Sequence, residues 1–325
     1  MLLMQLKEEY EGIYMLNKYI KGRLGNQMFQ YAAMRGFQQK YFPDQKINLS
    51  FQKVEKKYKN KNVDYLKNFN TEYTNKKIKI NVKQRILIFN ISFILFIYKY
   101  IIRKNYSINR DKIEEKYKKI LLKNNIIWKT NGYTDFDINL IDKNKDIIFY
   151  GYFESPKYFN NAKDIIKNDF TFKKDVSDKK LLNEINNSNS VCISIRRGDF
   201  VKSKAHFVCN NDYFYEAINI MNKKVRNPKY IIFSDDINWV KENFKIKDAL
   251  YESGNDSLSD KLTLMSSCKH FIISNSSFSW WSQYLSNNED KIVVAPAIWN
   301  NLENNTSIYE DNWILINRGD VNEKN

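Results

Sequence analysis

The chain has 325 residues, 43% of them hydrophobic and 15% aromatic, which excludes wholesale disorder and supplies enough material for two domains or one large one. Three cysteines and two histidines give no disulfide framework and no Cys/His cluster of zinc spacing, so the expected metal is none and the expected compartment the reducing cytoplasm. The formal charge of +16 leaves two readings open, an acidic partner or a lysine-rich composition without a function of its own.

In chain order, Met1-Leu2-Leu3-Met4-Gln5-Leu6 meets Lys7-Glu8-Glu9 at once, and this start is read as too short and too acidic for a signal peptide. Residues 17–21 predict a short strand that breaks at Gly22-Arg23-Leu24-Gly25-Asn26, and 27–34 predict a helix. Strand, glycine turn and helix suit either an ordinary connection or a nucleotide-type entry, where glycine lets the backbone approach a ligand closely.

Between Lys53 and Arg85 stand eleven lysines and arginines against Glu55, Asp64 and Glu72, a net +8 and half of the whole excess. Residues 86–102 follow, apolar except for Asn90, Ser92 and Lys99. These 17 residues fall short of the roughly 20 a spanning helix needs, so the prediction is a helix that is either buried or interfacial. In the second case the basic run beside it would dock on an anionic leaflet, placing the protein peripherally on the inner membrane face.

Residues 111–122 then predict a helix and 126–129 an extended segment. Asp135-Phe136-Asp137 looks like the Asp-x-Asp metal clamp of another class of sugar-nucleotide enzymes. It follows the turn sequence Asn131-Gly132-Tyr133-Thr134 instead of an apolar strand that would position a cation, and is set aside. Residues 147–153 predict a strand, and Pro156 a helix through 166, proline being suited to a first turn.

From about Asp175 the pattern is regular: helix 181–185, strand 191–195, helix 212–221 behind an Asn210 or Asn211 cap, strand 230–233, helix 239–244, helix 256–268, strand 271–273, helix 277–285 and strand 291–295. Alternation of this kind argues for a doubly wound parallel sheet, whose strand ends gather on one edge. Three loops converge there: Arg196 to Phe200, Ser234 to Asp236, and Ser274-Asn275-Ser276-Ser277. The run Val191-Cys192-Ile193-Ser194-Ile195-Arg196-Arg197-Gly198-Asp199-Phe200 is a strand that ends in charge, and ligands of open α/β sheets bind beyond such ends. An arginine fork suits a diphosphate; the same arginines equally suit Asp199 and neighbouring carboxylates. The serine turn precedes a helix, so its N–H groups and hydroxyls suit an anion, while Ser276 or Ser277 also suits a helix cap; the two roles use the same geometry and do not exclude each other.

These pieces in this order resemble the α-1,2-fucosyltransferases of glycosyltransferase family 11. The matching stretches are Gly22 through Ala32, Gly151 through Phe159, Ile193 through Phe200, Phe233-Ser234-Asp235-Asp236, and Asp260 through Trp281. The most specific is Leu264-Met265-Ser266-Ser267-Cys268-Lys269-His270 leading into Ser274-Asn275-Ser276-Ser277-Phe278-Ser279-Trp280-Trp281. The resemblance implies a GT-B architecture of two Rossmann-like α/β domains with the donor site between them. It divides the chain into 1–174, an acceptor-side domain with a basic and apolar insertion near 53–104, and 175–325, the nucleotide-sugar domain. It implies an inverting transfer of L-fucose from GDP-β-L-fucose to a galactoside hydroxyl, in α-1,2 linkage, with no metal or other cofactor. The acceptor would be a galactose-terminated glycan, free or lipid-linked.

Carried over residue by residue, the resemblance has Arg196 hold the β-phosphate with help from Arg197, Ser274, Asn275, Ser276, Ser277 and Phe278, and Asp260 read the guanine edge. Asp235 belongs to the same donor site, and Gly22, Gly25, Asn26 and Gln27 would reach the donor from the other domain. Ser194 stands where the family usually has histidine. Asp199 is the nearest candidate proton acceptor for the acceptor hydroxyl, pairing with Arg197 being its alternative role. Within enzymes, GDP-fucose transfer to another hydroxyl, or use of a different nucleotide sugar, remains open. A basic nucleic-acid-binding protein is the reading from another class, and the absence of a recognised RNA or DNA module and of a stacking pattern speaks against it.

Overall fold

The computed structural model describes residues 14–59, 63–102, 106–303 and 306–317. They form two compact α/β units that meet in sequence at Asp169 and Phe170, slightly before the junction expected at 174. Each is built on a wholly parallel sheet, the architecture the resemblance implied.

In the first unit, strand β1 (Met15–Tyr19) lies between β2 (Lys46–Ser50) and β4 (Ile147–Gly151), and β3 (Ile126–Lys129) closes the far edge. The intervening helices are α1 (Leu24–Tyr41), α2 (Gln52–Tyr58), α3 (Val82–Phe96), α4 (Tyr106–Leu122) and α5 (Lys163–Asp169). Helix α1 begins three residues earlier than the periodicity suggested, so Gly25, Asn26 and Gln27 are helical and only Gly22 carries the turn, at φ +78°. The strand is also displaced, ending at Tyr19. Pro156 does not open one long helix: two short 3-10 turns, Pro156–Tyr158 and Asn160–Ala162, precede α5. Phe37 and Tyr158 stack there, ring centroids 5.9 Å apart, and the Tyr158 carbonyl and Phe159 backbone lie so close to Gly36 that a Cβ would collide with them.

The apolar run is a single rod. Helix α3 continues as a π-helical stretch, Ile97–Ile102, so the unbroken helix is Val82–Ile102, 21 residues. It is longer than the 17 residues predicted and by length and composition reaches the span of a bilayer. It starts at a capping box, in which the Asn81 side chain accepts from the Gln84 N–H and Gln84 reaches back to the Asn81 N–H.

The second unit holds six strands in the order β10-β9-β8-β5-β6-β7: β5 (Asn189–Ile195), β6 (Pro228–Ser234), β7 (Leu250–Tyr251), β8 (His270–Ile273), β9 (Val293–Pro296) and β10 (Ile314–Ile316). Its helices are α6 (Lys179–Asn186), α7 (Asn211–Lys224), α8 (Ile237–Asn243), α9 (Leu258–Ser267) and α10 (Ser277–Tyr284). The continuous apolar run of β5 is the mark of a strand covered on both faces. Val191, Ile193 and Ile195 pack on one face with Phe214, Met221, Ile232 and Ile272, and Cys192 and Ser194 on the other face are buried as well. The order reverses at β5, where the chain goes one way to β6 and the other to β8, and this is the topological switch point at which open sheets bind ligands.

Candidate active site

Strand β5 delivers Arg196 and Arg197 to the carboxyl edge of the second sheet, between the ends of β6 and β8. The Arg196 guanidinium is shared by two carboxylates, Asp199 three residues on and Asp235 at the end of β6, the latter at 2.8 Å. Its guanidinium carbon lies 5.1 Å from the centre of the Phe200 ring. Asp235 joins the two loops: one oxygen takes Arg196, and the other accepts the Arg197 N–H at 2.8 Å. Gly198 lies close beside it, and a Cβ there would displace the Asp235 carboxylate. Arg197 turns the other way, lying over the Trp239 ring with its guanidinium carbon 3.1 Å from the centroid, and its Nε is 3.4 Å from Asp236.

Beneath this edge, Ser194 is buried and its hydroxyl lies 2.6 Å from that of Ser279, which in turn is 3.2 Å from that of Ser274. The Ser274 N–H donates to the Ser194 carbonyl, so three hydroxyls fasten the start of α10 to β5. Asn275 is an internal clamp. Its amide donates to the carbonyls of Trp299 and His206 at 2.9 and 3.0 Å, and it is buried. Ser276 occupies the N-cap of α10 without a side-chain capping bond. Phe278 is half-buried in the first turn, and Trp280 and Trp281, fully buried and 5.1 Å apart, anchor the helix below it.

The remaining expected donor residues are held by partners of their own. Asp260 lies in the first turn of α9, where its carboxylate accepts from the Ser257 hydroxyl at 2.8 Å and from the hydroxyl and N–H of Ser177 at 3.2 and 3.3 Å. That binding locks α9 to the segment before α6, and reading a guanine edge would require exchanging those partners. In the first unit Gln27 is fully buried; it donates to the Val63 and Gly22 carbonyls and accepts from the Tyr65 N–H. Such a saturated amide holds the turn to the segment after Val63, and a part in donor binding would require exchanging those partners. Gly25 sits inside α1, and Asn26 packs its side chain against Gly22. The turn itself is pinned by Gln30, which accepts from the Lys21 N–H and donates to its carbonyl.

Several residues of the edge escaped sequence reading. Trp239 carried no motif signal. Glu252, fully buried after β7, accepts from the Ser234 N–H and pairs with Lys261 at 2.7 Å, and Lys261 also donates to the Ser234 carbonyl. Burial raises the Glu252 carboxyl above its ordinary value in spite of that lysine. In the first unit, Lys18 is buried near Lys21 and Lys53, and among the described residues none of the three forms an ion pair. Lys21 lies 4.2 Å from the Tyr150 ring centre and Lys53 4.5 Å from that of Tyr19. Burial, then the neighbouring lysines, push the Lys18 amine well below its ordinary value. Asp135 and Asp137 serve their own turn, accepting from the Tyr133 hydroxyl and the Asn139 N–H.

The family described as Glycosyl transferase family 11 matches residues 13–317. The O-antigen biosynthesis glycosyltransferase WbnK of Escherichia coli is 29% identical over 331 residues, covering 91% of this chain and 99% of that protein. An alpha-1,2-colitosyltransferase of Escherichia coli is 34% identical over 182 residues, 52% of this chain and 62% of that protein. Among solved structures, the fucosyltransferase NodZ from Bradyrhizobium aligns with 84% of this chain and 93% of its own, at 11% identity and a TM-score of 0.41.

Proposed function

We propose, from the premise that the chain belongs to glycosyl transferase family 11, that this glycosyltransferase moves L-fucose from GDP-β-L-fucose to a galactose-terminated glycan, inverting the anomeric carbon and forming an α-1,2 linkage. The observation that carries the reading is the pair Arg196 and Arg197 at the switch point of the second sheet, at the end of a strand whose other neighbour, β8, leads into the turn that opens α10. Leaving GDP accumulates negative charge on its β-phosphate, and fixed guanidinium and N–H donors stabilise that charge as it develops. Arg196 is poised for an exchange of partners: a diphosphate would take the place now held by Asp199 and Asp235. Asp199, displaced from the guanidinium, is then the carboxylate for the acceptor hydroxyl's proton. Ser194 acts through the hydroxyls of Ser279 and Ser274 and contributes position, where an imidazole would have offered a contact of its own.

The colitosyltransferase relative favours a second reading in which the site takes a deoxysugar other than fucose. Incubation with a panel of nucleotide sugars and β-galactosides, followed by linkage analysis of the product, decides both points. GDP-fucose consumed into a 2-O-linked galactoside supports the first reading. Turnover with another sugar alone, or a linkage to another hydroxyl, overturns it.

A further inference from the structure

Helix Val82–Ile102 is apolar on two opposite faces. One of them is the domain's own: Ile91 and Leu95 pack with Ile78, Leu121, Trp128 and Ile148, and the Gln84 side chain donates to the Asn124 carbonyl. The other face is bare. Val82, Ile86, Phe89, Phe93, Phe96 and Tyr100 recur at spacings of three and four, the stripe of one helix side. Each is about half exposed or more, from 51% at Phe96 to 73% at Val82. Phe89 and Phe93 stack along the surface with ring planes 7° apart. Lys83, Arg85 and Lys99, all exposed, border the stripe, and no acidic residue occurs between Glu72 and Asp111.

We propose that this face docks in the plane of an anionic phospholipid surface, with the aromatic stripe among the acyl chains and the basic border at the headgroups. Bare apolar area of this extent marks an interaction site, and the border selects the partner. A second copy pairing about a two-fold axis would bring Lys83 and Arg85 against Lys99 or against themselves, like charge on like. An anionic leaflet attracts each of them. Spanning is disfavoured for a physical reason: the helix would have to leave the core formed by Ile91 and Leu95 and break the Gln84 bond. The proposal stands independently of the sugar and linkage argued above.

Co-sedimentation of the full chain with equimolar phosphatidylglycerol and phosphatidylcholine vesicles, against pure phosphatidylcholine, tests it. Binding is expected to the anionic vesicles at low salt, to weaken sharply as salt rises, and to be lost on alkaline carbonate washing. Two triple variants, F89S/F93S/F96S and K83Q/R85Q/K99Q, should each lower partitioning by about tenfold or more while far-UV melting and GDP binding stay as in the parent chain. Equal partitioning onto both vesicle types, resistance to carbonate, or a concentration-dependent dimer that the phenylalanine variant abolishes would each overturn it.

Discussion

Arg196 shows how a single residue can be legible in kind and illegible in state. A strand that ends in two arginines announces an anion site, but only the folded chain reveals that Asp199 and Asp235 already share the guanidinium. Lysine at this position keeps the charge and loses the fork, so it can satisfy one carboxylate or one phosphate oxygen where arginine serves two. Arg196→Lys is therefore expected to keep the fold and to lower turnover at saturating donor by about 10² to 10³; near-normal GDP release would remove Arg196 from the mechanism. Lys18 presents the opposite case, an amine in a core strand that no periodicity flags. Replacing a buried, poorly compensated charge by an apolar side chain of similar length relieves desolvation, so Lys18→Met should stabilise the chain by on the order of 1 to 4 kcal/mol. The sign with pH follows from the direction of the shift. The folded amine loses its proton at lower pH than the unfolded one, so the parent's deficit is full below the folded value. It shrinks as pH rises and vanishes above the unfolded lysine's value of about 10.4. Urea unfolding of both proteins from neutral to alkaline pH measures the convergence, and parallel stabilities across that range would contradict it.

At the scale of elements, local signals set type and tertiary contacts set extent. The capping box at Asn81 and Gln84 begins α3 before the apolar run does, which is how 17 apolar residues became part of a 21-residue rod. Asn81→Ala deletes the side-chain acceptor for the Gln84 N–H and should cost about 1 kcal/mol in unfolding free energy, read by denaturant melts. An unchanged midpoint would mean that packing of Ile91 and Leu95 alone fixes where the helix starts. The short strands β2, β7 and β10 were not foreseen, because two to five residues at a sheet edge carry too little period to separate from loop. Gly25 and Asn26, read as part of a turn, are helical since one glycine, Gly22, suffices to reverse the chain.

On the scale of the whole molecule, the candidate edge is assembled from groups far apart in sequence, with Ser194, Asp235 and Ser274 brought to it by neighbouring parallel strands. Among the described residues no group of three His, Cys, Asp or Glu side chains gathers to hold a metal ion, and in the mechanism proposed above Arg196 and the N–H donors of the α10 turn take over charge stabilisation. Activity is accordingly expected to survive excess EDTA. A collapse in chelator reversed by Mn²⁺ or Mg²⁺ would show that charge stabilisation is borrowed from a cation.

The sequence by itself determined the alternation of strand and helix in the second unit, the strand-end arginines, and the serine turn ahead of α10, because each is written in a local period or in adjacent residues. It also carried the family, through ordered motifs from Gly22 to Trp281. Tertiary structure alone decided what those side chains touch. Gln27 became an internal clamp, Asp260 a tie to Ser177, and Ser194 a member of a hydroxyl chain, since hydrogen-bond partners come from segments tens of residues away. The same holds for α3: it carries apolar residues on two opposite faces, and composition reads identically for a buried and a bare face. Only the packing of Ile91 and Leu95 inward, with Phe89 and Phe93 left outside, distinguishes the two.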